Sequence, residues 1–333
     1  MNYKISFHIL CSPFNVFYHT NKDFGQAFFT SFLANEYNAS EREAVMQIQG
    51  NITALVTPMK RNGNVDFDKL GKIIEFQINN GARGLVVLGS TGEAFLLSEE
   101  EKDRAFEFCV DKVQKRVPII AGINAFCLFE ALMQVQKRVD EGADANLVSP
   151  PPYIKPSSEG VELYFNEIAK ASHVPVIIYN NPSRTGVGIS LDVVKKLAEK
   201  DNIVGIKEAS GDMAYAEKVS RLISDDFSLI CGNDNLFLQF LALGCKSIIS
   251  VAGNIMPEFF NAITEEYDQN PQKSKRIYNK YASVVDALSL ESNPIMIKYV
   301  MGRLGMIKPY LRAPLGLPSR RNRNKIKKIL SEI

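Results

Sequence analysis

From Gly50 to Tyr267, short apolar runs alternate eight times with longer stretches of helical period. The runs are rich in Val and Ile, which is typical of buried strands. The predicted strands are Ile52–Thr57, Gly84–Gly89, Pro118–Gly122, Ala145–Ser149, Pro175–Tyr179, Ile203–Lys207, Ser228–Gly232 and Ser247–Val251. An open doubly wound sheet usually has a GxGxxG turn after its first strand, and this chain lacks it there. The pattern therefore predicts the α/β class and a (β/α)8 TIM barrel.

The stretches between the runs have an apolar face at helical spacing, so they predict the helices of the barrel. The predicted helices are Asp66–Asn80, Ser98–Gln114, Phe129–Glu141, Gly160–Ala171, Ser190–Lys200, Ala214–Ser224, Asn235–Leu243 and Pro257–Tyr267. Three more helical stretches follow, near 272–289, 294–304 and 318–331. We therefore expect the barrel to occupy residues 46–270 and a C-terminal helical appendage to occupy residues 271–333.

Residues 1–45 differ from the rest of the chain, because they hold seven of its 20 Phe and lack a regular apolar period. His8, Ser12 and Asn15 interrupt the apolar stretch that a secretory signal needs. One Arg and four acidic residues do not match a transit peptide. We interpret the segment as an N-terminal extension outside the fold, with a targeting role or a start at Met46 as alternatives.

Charge and cysteine content exclude several classes of protein. The 39 Lys and Arg residues against 37 Asp and Glu residues give a net charge of +2, which provides no broad basic surface for nucleic acid. The basic stretch 320–328 is typical of a solvated helix face. Five widely spaced cysteines without a CxxC pair favour neither disulfides nor a zinc site, and they indicate a reducing cytoplasm. No apolar run reaches the ~18 residues that span a bilayer.

The active residues of a TIM barrel lie at the carboxyl ends of its strands. The sixth strand ends in Lys207, and lysine is rarely buried without a functional or structural reason. Burial disfavours the ammonium form of a lysine, and a neutral amine attacks ketones to form a Schiff base. The alternative is a structural ion pair of Lys207 with Glu93 or Glu208. Two of the chain's three histidines, His8 and His19, lie near the N-terminus, so the chemistry is expected to need no histidine base or histidine-bound metal.

Four other strand ends carry polar groups. Ser90 and Thr91 stand between two glycines after the second strand, where hydroxyls and backbone N–H groups suit a carboxylate. Tyr153 follows three prolines after the fourth strand, and Tyr179 ends the fifth. Arg184 lies five residues further on and is suited to bidentate binding of a carboxylate. The alternatives are a plain glycine turn, packing tyrosines and a surface arginine.

Four motifs occur in the order GSTGE, a Pro-Tyr153 loop, YNNPSRTG and GIKEASG. In this combination the chain resembles the dihydrodipicolinate synthase (4-hydroxy-tetrahydrodipicolinate synthase) family of class I pyruvate aldolases. The resemblance runs from about Gly50 to about Leu315 with almost no gaps. It implies that Lys207 is the Schiff-base lysine and that Tyr179 relays protons beside it.

The same resemblance implies roles for the remaining residues. Ser90 and Thr91 match the paired hydroxyls that hold the pyruvate carboxylate, and Ser90 also belongs to a proton relay. Tyr153 matches the relay tyrosine that reaches into the site of a neighbouring subunit, which implies a homo-oligomer, either a dimer or a tetramer. Arg184 matches the arginine that receives the carboxylate of the aldehyde substrate. The backbone positions that line the pocket correspond to Gly232 and Ile249.

The expected reaction is condensation of pyruvate with L-aspartate 4-semialdehyde to 4-hydroxy-tetrahydrodipicolinate, in lysine and diaminopimelate biosynthesis, with no metal or organic cofactor. One alternative is a retro-aldol lyase or dehydratase of a 2-keto acid, such as N-acetylneuraminate or 4-hydroxy-2-oxoglutarate. Ser90 favours that alternative, because the synthases usually carry Thr there, whereas Arg184 opposes it. A second alternative is a keto-acid sensor without catalytic activity.

Overall fold

A computed structural model describes residues 49–332 of the chain. Eight parallel strands form a closed barrel in which each strand pairs with the next in sequence and the eighth pairs with the first. The strands are β1 (Gly50–Ala54), β2 (Gly84–Val87), β3 (Ile119–Ile123), β4 (Ala145–Val148), β5 (Val176–Asn180), β6 (Ile203–Glu208), β7 (Ser228–Cys231) and β8 (Ser247–Ser250). The predicted barrel is therefore confirmed, and each predicted strand overlaps an observed one.

Helices follow the strands around the barrel, and three more continue the chain beyond it. They are α1 (Phe67–Asn79), α2 (Glu99–Val113), α3 (Leu128–Asp140), α4 (Ser158–Ala171), α5 (Pro182–Thr185), α6 (Leu191–Ala198), α7 (Met213–Ser220), α8 (Phe237–Ala242), α9 (Pro257–Tyr267), α10 (Pro271–Leu288), α11 (Ile295–Arg303) and α12 (Arg320–Ser331). Short 3-10 turns occupy Ser90–Gly92, Ala94–Leu96, Asp234–Leu236 and Ala252–Asn254. The observed helices match the predicted ones closely, except that no helix was predicted for the residues of α5.

Local sequence signals fix where the helices begin. The side chain of Asp66 accepts a hydrogen bond from the Lys69 backbone N–H at 3.2 Å and caps α1. Ser98 and Glu101 form the capping box that their spacing predicts for α2, because each side chain accepts from the other residue's backbone N–H. These caps satisfy backbone donors that the first turn of a helix leaves free.

Aliphatic side chains from all eight strands fill the barrel interior. This core consists of Ile52, Ala54, Val86, Ile120, Ala145, Leu147, Ile177, Val204, Ile230 and Ile249. Tyr179, near the carboxyl end of β5, packs against it. The interior is a packed core, as in other TIM barrels, and the polar strand ends lie above it.

The C-terminal helices are part of the packed structure. Helix α11 is largely buried, with Met296, Ile297 and Val300 at most 1% exposed. Helix α12 is strongly basic on its exposed surface and buries Ile326. Among the helices described for residues 49–332, none combines the length and apolarity needed to span a bilayer. The predicted extension, residues 1–45, lies outside the described residues.

Candidate active site

Lys207 lies on β6 with only 6% of its surface exposed. Its Nζ atom lies 4.5 Å from the centre of the Tyr179 ring, because Lys207 and Tyr179 are paired across β5 and β6. Neither of the two expected ion-pair partners binds it. Glu93 pairs with Lys298, and Glu208 accepts hydrogen bonds from the side-chain amide of Asn180 and the backbone N–H of Ser210. Within residues 49–332, no carboxylate lies within ion-pair distance of Nζ.

A short chain of hydrogen bonds holds the Tyr179 hydroxyl in place. The side-chain amide of Asn181 donates to it at 2.8 Å, and the Ser183 hydroxyl in turn fixes Asn181 at 2.6 Å. Burial raises the pKa of the Tyr179 phenol, but the charge of Lys207 and the hydrogen bond from Asn181 lower it, and the net pKa is below its usual value. A phenol with a lowered pKa beside an amine is suited to exchanging protons with it.

The two hydroxyl residues lie on the 3-10 turn Ser90–Gly92, which follows β2. Ser90 faces Tyr179 closely enough to contribute to lowering its pKa, and Thr91 is 3% exposed. Gly92 is closely packed, because a Cβ atom here would lie 3.1 Å from the Thr57 hydroxyl and 3.3 Å from the Leu55 carbonyl and would force a small shift of these neighbours. The turn therefore brings a hydroxyl pair to the same end of the barrel as Lys207.

A buried ion pair holds the end of this turn. Glu93 adopts a left-handed backbone conformation, with φ of 57°, and its carboxylate accepts from the ammonium of Lys298 on α11. Both side chains are fully buried, and Lys298 also donates to the Thr57 carbonyl at 2.9 Å. The backbone N–H of Arg312 completes the set by donating to Glu93 at 2.9 Å. Residues after the barrel thus support the hydroxyl turn.

Arg184 lies on the short helix α5, which Pro182 begins and Gly186 ends in a left-handed conformation. Its guanidinium donates to the backbone carbonyl of Asn293 at 2.8 Å and is exposed on its other sides. The Arg184 charge also contributes to the lowered pKa of Tyr179. The arginine is therefore near the proposed reaction centre and retains donors for a ligand.

Tyr153 lies on the surface of its own chain. It is 87% exposed, and its backbone has a φ of 74°. Gly232 lies beside β6, where a Cβ atom would come within 2.6 Å of the Ala209 Cβ and 2.7 Å of the Glu208 carbonyl. The Ile249 side chain is buried in the barrel core, so only its backbone is available to a ligand.

Sequence reasoning missed three features near the site. Asn181 was within a quoted motif but received no role, although an amide beside a strand-end tyrosine is a recognisable partner. Asn293 and Lys298 lie in the C-terminal segment, which a search limited to the strand ends does not include. Within residues 49–332, no group of three or more His, Cys, Asp or Glu side chains is placed to hold a metal ion.

Comparison with known proteins gives the site its family context. Residues 47–333 match the model of the dihydrodipicolinate synthetase family. The 4-hydroxy-tetrahydrodipicolinate synthase of Syntrophus aciditrophicus is 40% identical over 283 residues, covering 85% of this chain and 97% of that protein. The crystal structure of dihydrodipicolinate synthase from Aquifex aeolicus superposes with a TM-score of 0.82 at 37% identity, covering 85% of this chain and 97% of that one.

A second solved structure is the dihydrodipicolinate synthase of Acinetobacter baumannii, complexed with pyruvate and described as chloride inhibited. It superposes with a TM-score of 0.83 at 36% identity and covers 86% of this chain and 99% of that one. The family match extends over the whole barrel and its C-terminal helices. The chain therefore belongs to the dihydrodipicolinate synthetase family.

Proposed function

We propose that the protein condenses pyruvate with L-aspartate 4-semialdehyde to 4-hydroxy-tetrahydrodipicolinate, as the names of its relatives imply, in lysine and diaminopimelate biosynthesis. The observation that carries the proposal is Lys207, which is nearly buried, has no carboxylate partner among residues 49–332 and lies 4.5 Å from the Tyr179 ring. A lysine amine that no carboxylate holds in an ion pair is available to attack a ketone and form a Schiff base.

The reaction begins when the Lys207 amine adds to C2 of pyruvate and water leaves, which gives an imine. Loss of a proton from C3 converts the imine into an enamine, and C3 then attacks the aldehyde carbon of the second substrate. The amino group of that substrate next attacks C2, closes the ring and displaces the lysine. Each step requires proton transfer, for which Tyr179 and Ser90 are placed together.

Two groups are proposed to bind the carboxylates of the substrates. The hydroxyls of Ser90 and Thr91 hold the pyruvate carboxylate at the turn after β2, and the backbone at Gly232 and Ile249 lines the pocket. Arg184 binds the carboxylate of the aldehyde substrate through the donors that face away from Asn293.

A retro-aldol lyase acting on a 2-keto acid remains the second candidate, and Ser90 is the observation that favours it. Ser90 lacks the methyl group that fixes the rotamer of a threonine, so it leaves more room in the pocket. Arg184 favours the synthase, because it neutralises a second carboxylate near the reacting carbon.

We further propose that the protein acts as a homo-oligomer, a dimer or a tetramer, in the cytoplasm. The exposed Tyr153 ring and the exposed Phe126 side chain support a surface that a second copy covers. The four cysteines of the described residues, Cys109, Cys127, Cys231 and Cys245, are all unpaired, which agrees with a reducing compartment.

Reductive trapping tests the role of Lys207. Borohydride reduces an imine to a stable amine, so wild-type protein incubated with pyruvate is expected to carry the adduct on Lys207 in a peptide digest. Lys207→Ala should lose the adduct and all turnover. Lys200→Ala, which removes an exposed lysine near the start of the same strand, should keep both. An undiminished adduct in the Lys207→Ala protein would show that another amine is the nucleophile.

A further inference from the structure

We propose that Asn293 is a positioning residue that orients the Thr91 hydroxyl toward the pyruvate carboxylate. The inference deepens the proposed function and rests on it. Asn293 lies in the segment between α10 and α11, outside the barrel, and so belongs to none of the strand ends. It nevertheless contacts two of the side chains to which substrate carboxylates are assigned.

The first contact is made by the side chain. The Nδ2 atom of Asn293 donates to Oγ1 of Thr91 at 2.8 Å. Within residues 49–332, Oδ1 of Asn293 is buried and has no hydrogen-bond partner, so the bond to Thr91 is the one hydrogen bond of this side chain. This hydrogen bond is directed at a hydroxyl that is proposed to bind the substrate, so Asn293 does more than fill the turn.

The second contact is made by the backbone. The carbonyl oxygen of Asn293 accepts from Nη2 of Arg184 at 2.8 Å. One residue of the C-terminal segment thus connects the turn after β2 with helix α5 after β5. The two contacts use different parts of the residue, so substitution of the side chain separates them.

Hydroxyl chemistry explains the orientation. A threonine hydroxyl has one proton to donate and two lone pairs that accept. Because Asn293 donates to Oγ1, the Thr91 proton remains available for another acceptor, and a carboxylate offers only acceptors. If the side chain at position 293 instead accepted a hydrogen bond from the Thr91 hydroxyl, it would compete with the substrate carboxylate for that donor.

This reasoning predicts how substitutions differ. Asn293→Ala removes the donor to Thr91 and keeps the backbone contact to Arg184. Asn293→Asp keeps the size of the side chain, but its carboxylate accepts a hydrogen bond from the Thr91 hydroxyl and repels an anionic substrate. Pyruvate binding is therefore the quantity that changes, and binding of the aldehyde substrate depends on Arg184, which both variants leave in place.

The experiment measures borohydride trapping of pyruvate on Lys207 across pyruvate concentrations in the full-length chain, together with the KM of each substrate. Asn293→Ala should raise the half-saturating pyruvate concentration about tenfold, which is the size expected for the loss of one hydrogen bond that supports a charged ligand. The KM of the aldehyde should change by less than about twofold. Asn293→Asp should raise the half-saturating pyruvate concentration further. Ser292→Ala, an exposed neighbour in the same turn, should match the wild type.

Unchanged pyruvate saturation in a folded Asn293→Asp protein would overturn the inference. An equal rise in both KM values for Asn293→Ala would also overturn it, because that result indicates a general disturbance of the turn. Absence of any wild-type adduct at Lys207 would instead overturn the proposed function, and the inference with it.

Discussion

Tyr153 combines a left-handed backbone conformation with a highly exposed ring, and contacts within its own chain do not explain this combination. A bulky residue in the left-handed region costs about 1–3 kcal/mol, and such strain persists where the surroundings hold it in place. Here the backbone N–H of Tyr153 donates to the Thr185 carbonyl at 3.2 Å, which anchors the loop beside helix α5. The strained backbone directs the ring outward, which agrees with a proposed role in a neighbouring subunit.

Complementation between an impaired variant and an inactive one tests that role. Tyr153→Phe removes a relay hydroxyl and should lower kcat at least about tenfold, within the usual range for proton-transfer groups. Lys207→Ala should be inactive. When the two chains are co-expressed, a hybrid pair contains one site with an intact lysine and the partner's intact tyrosine. Its activity should therefore exceed the average of the two variants. Activity equal to that average would show that Tyr153 serves its own chain or none.

Strand ends make some site residues predictable from sequence and leave others out. Lys207, Tyr179, Ser90 and Thr91 were found because each ends or follows a recognisable strand. The residues that form hydrogen bonds with them do not all lie at strand ends. Asn293 lies far along the chain, in a turn with no periodicity, and its contact with Thr91 depends on how the C-terminal helices pack. Long-range packing of this kind leaves no local pattern in one sequence.

For the secondary structure, the alternation of apolar runs with stretches of helical period predicted nearly all strands and helices. Buried parallel strands and amphipathic helices differ in the spacing of their apolar residues and in composition. The ends differ by a few residues, as where the structure ends β2 at Val87 and the prediction extended it to Gly89. Helix α5 was missed, because four residues are too few to display a helical period. That short helix carries Arg184.

The C-terminal segment and the start of helix α2 are connected by an ion pair. Arg312 donates to both carboxylate oxygens of Glu101, at 2.5 and 2.7 Å, and also to the backbone carbonyls of Leu96 and Gly63. Glu101 accepts from the Ser98 backbone N–H as part of the capping box. The pair therefore joins the segment that follows the hydroxyl turn to the chain after α11.

We predict that Glu101→Gln lowers the free energy of unfolding at pH 7 by about 1 kcal/mol, since glutamine keeps the cap but loses the charge. The hydrogen bond from Arg312 is the largest influence on Glu101, burial opposes it, and the net pKa is below the usual 4.5. The folded state thus holds this proton less tightly than the unfolded state. The stabilisation is fully present above pH 4.5 and is lost as the pH falls through the folded-state pKa.

Urea unfolding at several pH values checks this prediction. The difference between wild type and Glu101→Gln should shrink as the pH falls below 4.5. Glu100→Gln, in the same exposed first turn, controls for the general effect of removing an acidic residue near a helix N-terminus. A difference that stays constant on acidification would contradict the assignment to the Arg312 pair.

At the scale of the whole molecule, the barrel assembles groups that are distant in sequence, and the C-terminal helices complete the assembly. The hydroxyl turn after β2, the tyrosine of β5 and the lysine of β6 meet at one end of the barrel. Lys298 and Asn293 then fix the hydroxyl turn from outside. The appendage predicted from sequence is therefore connected to the candidate site, which the strand–helix pattern alone did not indicate.

A coupled assay tests the proposed condensation of pyruvate with L-aspartate 4-semialdehyde. Purified protein is given both substrates, dihydrodipicolinate reductase and NADPH, and the loss of NADPH is followed. The loss of NADPH should require both substrates, and its rate should fall about 100-fold in Arg184→Ala, since a charge-assisted contact to a carboxylate is removed. No loss of NADPH from protein that still traps pyruvate on Lys207 would contradict the synthase and indicate a different acceptor aldehyde or a lyase.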